Sequence, residues 1–250
     1  MKAHLRHLGF TLLAIFSTAT AEQLAGTQPN IIVVITDDQG MGDLSCMGNT
    51  VLKTPHLDAF YENSLRFTDF QVSPTCAPSR AALMSGRQPF KVGVTHTIKQ
   101  RERMALDIFT LPQALKSAGY HTGLFGKWHL GDEEAYLPQS RGFDEVLMHG
   151  AGGIGQVTLG DFPPNNKNVY FDNVLLYNDS IVQTKGYCTD LFFNAASAWI
   201  SEQHKTKEPY FAYISLNAPH APMAAPERYI KRFTDLGCLL YTSPSPRDRG

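Results

Sequence analysis

Four short runs hold the residue types that can do chemistry: Asp37-Asp38, Cys76 with Arg80, Lys127 with His129, and His220. Paired carboxylates suit a hard cation, and lysine and arginine suit anionic oxygens. Histidine moves protons near neutral pH, and a cysteine or a group made from it can attack an electrophile. Cys76 stands in P-T-C-A-P-S-R-A-A-L-M-S-G-R, Pro74 to Arg87. Pro78 suits a first helical turn, Ala81 to Met84 are good helix formers, and Gly86 is placed to end the run. Cys76 is therefore expected at a helix N-terminus, where unpaired backbone N–H groups favour negative charge. Arg80 and Arg87 would add guanidinium forks matched to a tetrahedral oxyanion. Taken singly, each run also has a plainer reading: a buried helix-capping cysteine, an aspartate pair closing a turn, or a histidine fixed in a proline-flanked loop.

The elements that must position these residues alternate between strand and helix. Ile31 to Thr36 is a continuous apolar run rich in β-branched residues, as in a strand buried on both faces, and it ends at Asp37-Asp38. Thr54-Pro55 starts a predicted helix to about Ser64, with Leu57, Phe60 and Tyr61 facing inward. Leu65 to Val72 then reads as a strand leading to the cysteine loop. Thr110 can cap a helix beginning near Pro112 and ending at Gly119, and Tyr120 to Phe125 is the next strand, followed directly by Lys127 and His129. A third unit has a helix from about Thr189 to His204, with Leu191, Ala195, Ala198 and Trp199 at helical spacing. Its strand, Tyr210 to Leu216, leads to Asn217-Ala218-Pro219-His220. This alternation predicts an α/β fold, a mainly parallel sheet with helices on both faces. Ligands bind beyond the carboxyl ends of the strands in such sheets, and all four runs follow predicted strands.

The 250 residues carry 22 Lys and Arg against 23 Asp and Glu, a net charge of −1, which argues against a nucleic acid or an anionic membrane as the main partner. Lys2 and Arg6 precede an apolar run, Leu8 to Phe16, and Ala19-Thr20-Ala21 fits a signal-peptidase site. Residues 1–21 are expected to be a cleaved signal peptide, and the run is too short for a stable membrane anchor. The destination is a secreted, periplasmic or lysosomal-type compartment. The four cysteines, Cys46, Cys76, Cys188 and Cys238, form no disulfide framework, and a Cys46–Cys188 pairing stays open. Asn178-Asp179-Ser180 is a glycosylation sequon, relevant to a eukaryotic secretory route. Residues 238–250, beginning C-L-L-Y-T-S-P-S-P-R-D, resemble a translated sequencing adapter and are set aside from fold reasoning. Natural sequence is then expected to reach only about Gly237.

Cys76-Ala77-Pro78-Ser79-Arg80 followed by A-A-L-M-S-G-R resembles the signature of type I sulfatases, and G-K-W-H-L-G at Gly126 to Gly131 resembles their second motif. P-N-I-I-V-V-I-T-D-D-Q-G and N-A-P-H-A-P fit in the same order, so the resemblance runs over roughly residues 29 to 236. It implies an alkaline-phosphatase-like α/β fold, truncated at its C-terminus, with residues 22–237 an incomplete N-terminal catalytic domain. It implies hydrolysis of sulfate esters through a formylglycine made from Cys76 by a separate maturation enzyme. A hydrated aldehyde has two hydroxyls, one to attack sulfur and a second whose proton loss expels sulfate.

The same resemblance gives each residue a role. Asp37, Asp38 and the Cys76-derived oxygens bind Ca²⁺. Arg80 orients the nucleophile and Lys127 contacts a sulfate oxygen. His129 hydrogen-bonds or deprotonates the formylglycine hydroxyl, and His220 lies near the leaving oxygen as an acid. A helix N-terminus offers an anion only about 0.3–2 kcal/mol against the roughly 8–23 kcal/mol by which enzymes lower barriers, so metal and cationic side chains must supply most of the electrostatic stabilisation. The implied substrate is a sulfated small molecule or glycan. Two alternatives stay open: a phosphonate or phosphodiester hydrolase with the same signature, and a non-catalytic secreted binder of sulfated glycans.

Two further features are set apart. Gly150 to Gly155, G-A-G-G-I-G, matches a dinucleotide-binding pattern, but Pro163-Pro164 follows where a helix is needed, so it reads as a flexible loop lining the substrate entrance. Asp172-Asn173 resembles the family's second metal pair but precedes His220 instead of following it, and is not taken as a ligand. With that pair missing, the oxygen shell that Ca²⁺ prefers stays short, and these 250 residues alone are expected to bind Ca²⁺ weakly and turn over little.

Overall fold

A computed structural model describes residues 26–154 and 169–235. The predicted signal peptide, the second part of the glycine-rich loop and the adapter-like tail with Cys238 lie outside the described residues. Within them six strands form one sheet in the order β1-β6-β2-β3-β4-β5. They are β1 (Ile31–Asp37), β2 (His121–Lys127), β3 (Glu145–His149), β4 (Val174–Tyr177), β5 (Ser180–Gln183) and β6 (Tyr210–Pro219). β1, β6, β2 and β3 are parallel, with Val33 opposite Tyr213 and Leu124 opposite both Tyr213 and Val146. β4 and β5 form an antiparallel hairpin that continues the sheet beyond β3.

The apolar runs are continuous because the central strands are covered on both faces. Along β2, Leu124 faces a core with Ala81, Met84, Trp128, Phe143, Val146 and Tyr213, while Phe125 faces a second core with Leu147, Phe192, Ala196 and Ile214. Helices α2 (Cys76–Ser85) and α3 (Leu111–Ser117) serve the first face, and α4 (Cys188–Thr206) serves the second. The remaining helices are α1 (Pro55–Glu62) and α5 (Glu227–Asp235). Each large side chain so buried contributes roughly 1.5–3 kcal/mol. Thr110 caps α3 through a reciprocal pair with Gln113, as its sequence implies.

Several local expectations are corrected. Leu65 to Val72 is not a strand: among the described residues β1 ladders with β6 alone, and the segment pairs with no strand there. Its Leu65, Phe67, Phe70 and Val72 are exposed, as are Leu57 and Phe60 of α1, which were expected to face inward. Ile32 and Val34 on β1 are also about half exposed, at 50% and 52%, so this end of the sheet presents a broad apolar surface. On α4 the buried side chains are Cys188, Phe192 and Ala196, one helical stripe shifted from the expected one, whose Ala198 is exposed. Cys46 and Cys188 are both free thiols, so the pairing left open above is absent. Burial pushes the Cys188 thiol up to about 12, which makes it a poor nucleophile.

Candidate active site

The site lies at the carboxyl ends of β1, β2, β3 and β6, against the start of α2. Thr75 is extended and α2 begins at Cys76, a half-buried cysteine in no disulfide, at the first helical position. Arg80 lies one turn along, on the same helix face. It is 1% exposed, and its Nη1 donates to the Lys127 carbonyl at 3.0 Å, to Tyr213 Oη at 3.4 Å and to Ser215 Oγ. Nη2 donates to the Leu216 carbonyl at 3.4 Å and lies 3.7 Å from Asp37 Oδ2. One guanidinium thus fastens the mouth of α2 to the ends of three strands. Arg87 is not part of this group: it is exposed beyond Gly86, whose left-handed φ of 63° ends α2 at the far end from Cys76. A ten-residue helix places its two ends about 15 Å apart.

Lys127, fully buried at the end of β2, donates to Asp37 Oδ2. Burial alone would raise the Asp37 pKa, but the adjacent Lys127 and Arg80 charges overcome it and hold the carboxyl below its ordinary value. Burial and the like charge of Arg80 push the Lys127 ammonium down, with Asp37 and Cys76 opposing. Gly126, just before it, has φ of 120°, and a Cβ there would overlap the Ser215 carbonyl oxygen, so only glycine lets β2 and β6 converge where Lys127 and Arg80 meet.

His129 and Asp38 both sit at positive φ, 63° and 62°. Non-glycine residues there cost of order 1–3 kcal/mol, a strain that recurs at functional positions. His129 Nε2 donates to the Thr97 carbonyl at 2.7 Å, which leaves Nδ1 as the basic nitrogen; Nδ1 is buried with no hydrogen-bond partner. Burial, then the Lys127 charge, hold His129 well below its ordinary pKa. His220 follows β6, with its Nδ1 donating to the Ala221 carbonyl at 2.6 Å and its Nε2 3.7 Å from Asp38 Oδ2. Its backbone is fixed from both sides, by its N–H to Asn217 O and by Tyr170 Oη donating to its carbonyl.

Asp37, Arg80 and Lys127 thus meet directly, Asp38 approaches His220, and Cys76 and His129 both lie within the field of Lys127. Sequence reasoning missed four buried polar residues beside them: Glu102, Asp132, His149 and Asn217. His149 and Asn217 end β3 and close β6, so the rule that picked out Lys127 also applied to them. Asp132 follows the G-K-W-H-L-G run and accepts the Ala151 N–H at 2.7 Å. The loop start, Gly150 to Ile154, is buried and pinned here, which corrects its reading as flexible. Gly152 lies so close to the Nε2 edge of His129 that a Cβ would overlap the ring. Asp172 accepts the Gly186 N–H at 2.7 Å, a turn-closing role.

Unpaired buried atoms on Arg80, His129, His149 and Asn217 gather at these strand ends and suit a polar, anionic ligand. By themselves Asp37 and Asp38 do not complete a calcium site. Among the described residues no group of three or more His, Cys, Asp or Glu side chains is arranged to hold a metal, and Asp37 already carries the Lys127 ammonium. Two aspartates fall short of the six to eight oxygens that Ca²⁺ takes.

The Sulfatase family profile matches residues 29–237. Mouse arylsulfatase J is 32% identical over 226 residues, covering 85% of this chain and 36% of its own length. Human arylsulfatase A is 32% identical over 223 residues, 82% of this chain and 44% of its own. The Klebsiella aerogenes arylsulfatase is 31% identical over 217 residues, 82% and 46%. The chain therefore spans less than half the length of these relatives. Among solved structures, Ps i-CgsB in complex with k-i-k-neocarrahexaose superposes with a TM-score of 0.73 at 29% identity, covering 84% of this chain and 49% of that one. BT4656 in complex with its substrate, D-glucosamine-2-N,6-O-disulfate, superposes with a TM-score of 0.68 at 26% identity, covering 84% and 38%. A shared profile over most of the chain, sequence identity to arylsulfatases and the same α/β frame agree: the chain belongs to the sulfatase family.

Proposed function

We propose that the complete protein hydrolyses sulfate esters at the site between α2 and the ends of β1, β2 and β6. The observation that carries this reading is the buried pair of cations, Arg80 and Lys127, set beside Asp37 and next to Cys76 at a helix start. Two fixed cations in a site screened from water favour a sulfate ester, a monoanion that becomes the sulfate dianion once the ester bond is broken. Formylglycine formed from Cys76 supplies a hydrated-aldehyde hydroxyl as nucleophile and a second hydroxyl for sulfate release. Arg80 keeps α2 in place against the sheet and Lys127 binds a sulfate oxygen. His129 takes a proton at Nδ1, its Nε2–H being tied to Thr97. His220, anchored on both sides, gives a proton from Nε2 to the leaving oxygen.

In the complete protein Asp37 and Asp38 supply oxygens to Ca²⁺, with further ligands needed to fill its shell. These 250 residues alone accordingly bind Ca²⁺ weakly and show little turnover. A maturation enzyme modifies Cys76, and residues 1–21 direct export. Sulfated saccharides, one of which BT4656 carries by name as its substrate, join aryl sulfates as the substrate class, with Gly150 to Asn168 among the segments that set specificity. The test begins with mass spectrometry of the tryptic peptide Phe67 to Arg80 from protein co-expressed with a maturation enzyme. Conversion of Cys76 is expected, together with aryl sulfate turnover well above aryl phosphodiester turnover by the full-length protein. An unconverted thiol, or a preference for the phosphodiester, would overturn the reading.

A further inference from the structure

A small cavity lies behind the candidate base, on the side away from its free nitrogen. Thr97, Glu102, His129, Gly131, Asp132, Ala151 and Gly152 line it, and about 10 Å³ is open to the centre of a water-sized molecule. That is room for one water. Glu102 is 6% exposed, and its Oε2 is buried with no hydrogen-bond partner. Thr97 and Gly152, which both line this cavity, are the residues placed against the Nε2 edge of His129. A buried carboxylate oxygen without a donor costs of order 1–3 kcal/mol or more, so an occupant that donates to it is favoured. A single water fits in size and in valence: one O–H for Glu102 Oε2 and a second for an oxygen of Thr97 or Asp132.

We propose that Glu102 is a positioning residue for His129, acting through one enclosed water. The carboxylate holds the water, the water donates to the Thr97 carbonyl, and that carbonyl holds the Nε2–H. The ring cannot then turn, and Nδ1 stays aimed at the reacting group. Gly152 packs against the same Nε2 edge, so closely that a Cβ there would overlap the ring. Nothing in the motif G-K-W-H-L-G marks Glu102, which lies 27 residues before His129 in a polar turn. This inference rests on the sulfatase reading for its kinetic consequence but not for the occupied cavity.

The test has two arms on the matured full-length protein. A high-resolution crystal structure of the wild type should show one water within hydrogen-bonding distance of Glu102 in this cavity. An empty cavity, or an ion there in place of water, overturns the proposal. In steady-state kinetics, Glu102→Leu should lower kcat on the order of 10- to 100-fold with KM nearly unchanged, the size expected when a catalytic group is misplaced by about an ångström. Glu102→Gln, which still offers an acceptor oxygen, should recover most of the loss. Wild-type kcat in Glu102→Leu, or a Glu102→Gln defect as large as that of Leu, would refute it. If Glu102→Leu does not fold, the Glu102→Gln kinetics and the wild-type water still decide. A wild type with no sulfate ester turnover would remove the sulfatase reading and leave the water arm standing.

Discussion

Lowering the pH should unfold this protein in part through His149. The residue ends β3, is fully buried, gives its Nδ1–H to the Gly150 carbonyl at 2.7 Å, and has the Asn217 side chain as its other polar neighbour. Burial is the main cause that pushes its pKa down to about 4, and the Lys127 and Arg80 charges add to it. In the unfolded chain the imidazole titrates near its ordinary value of about 6.5. Between these two values the unfolded state binds the extra proton, so stability falls as the pH drops. The His149 contribution is negligible above about pH 7.5, reaches about 2 kcal/mol of lost stability at pH 5, and levels near 3 kcal/mol below pH 4. His129, also held low, acts in the same direction. Urea unfolding at pH 7.5 and pH 5.0, followed by fluorescence of Trp128 and Trp199, measures the loss. His149→Gln has no proton to gain there, so its stability should depend on pH by about 2 kcal/mol less than the wild type over this interval. An identical pH dependence in the two proteins would refute the reasoning, whatever the absolute stability of the variant.

Three further outcomes are expected. Asp37→Asn leaves Lys127 buried without its counter-charge and should cost about 3–5 kcal/mol, much of it recovered in Asp37→Asn/Lys127→Met, as a double-mutant cycle by urea unfolding would show. Gly152→Ala places a Cβ in the His129 ring and should reduce kcat on the order of 100-fold in the complete enzyme, as steady-state kinetics would show. Residues 22–237 prepared alone should self-associate with rising concentration, because β1 is an edge strand with Ile32 and Val34 half exposed, and Phe60, Leu65, Phe67 and Phe70 are exposed as well; a monomer at all concentrations by sedimentation would contradict this.

The amino-acid sequence by itself determined the α/β alternation, the start of α2 at Cys76, the capped α3 and the placement of Lys127 and His220 at strand ends. These follow from local causes: apolar runs, N-cap and proline chemistry, and a glycine at a helix end. Each acts within a few residues. Tertiary structure alone decided that Arg80 ties α2 to three strands, that Arg87 stands apart, and that Leu65 to Val72 finds no sheet partner. The same holds for Glu102 and Gly152, which meet at His129 from separate loops. Such contacts join residues far apart in the chain, and no local pattern records them; they exist only once the strands converge closely enough for buried polar groups to need one another.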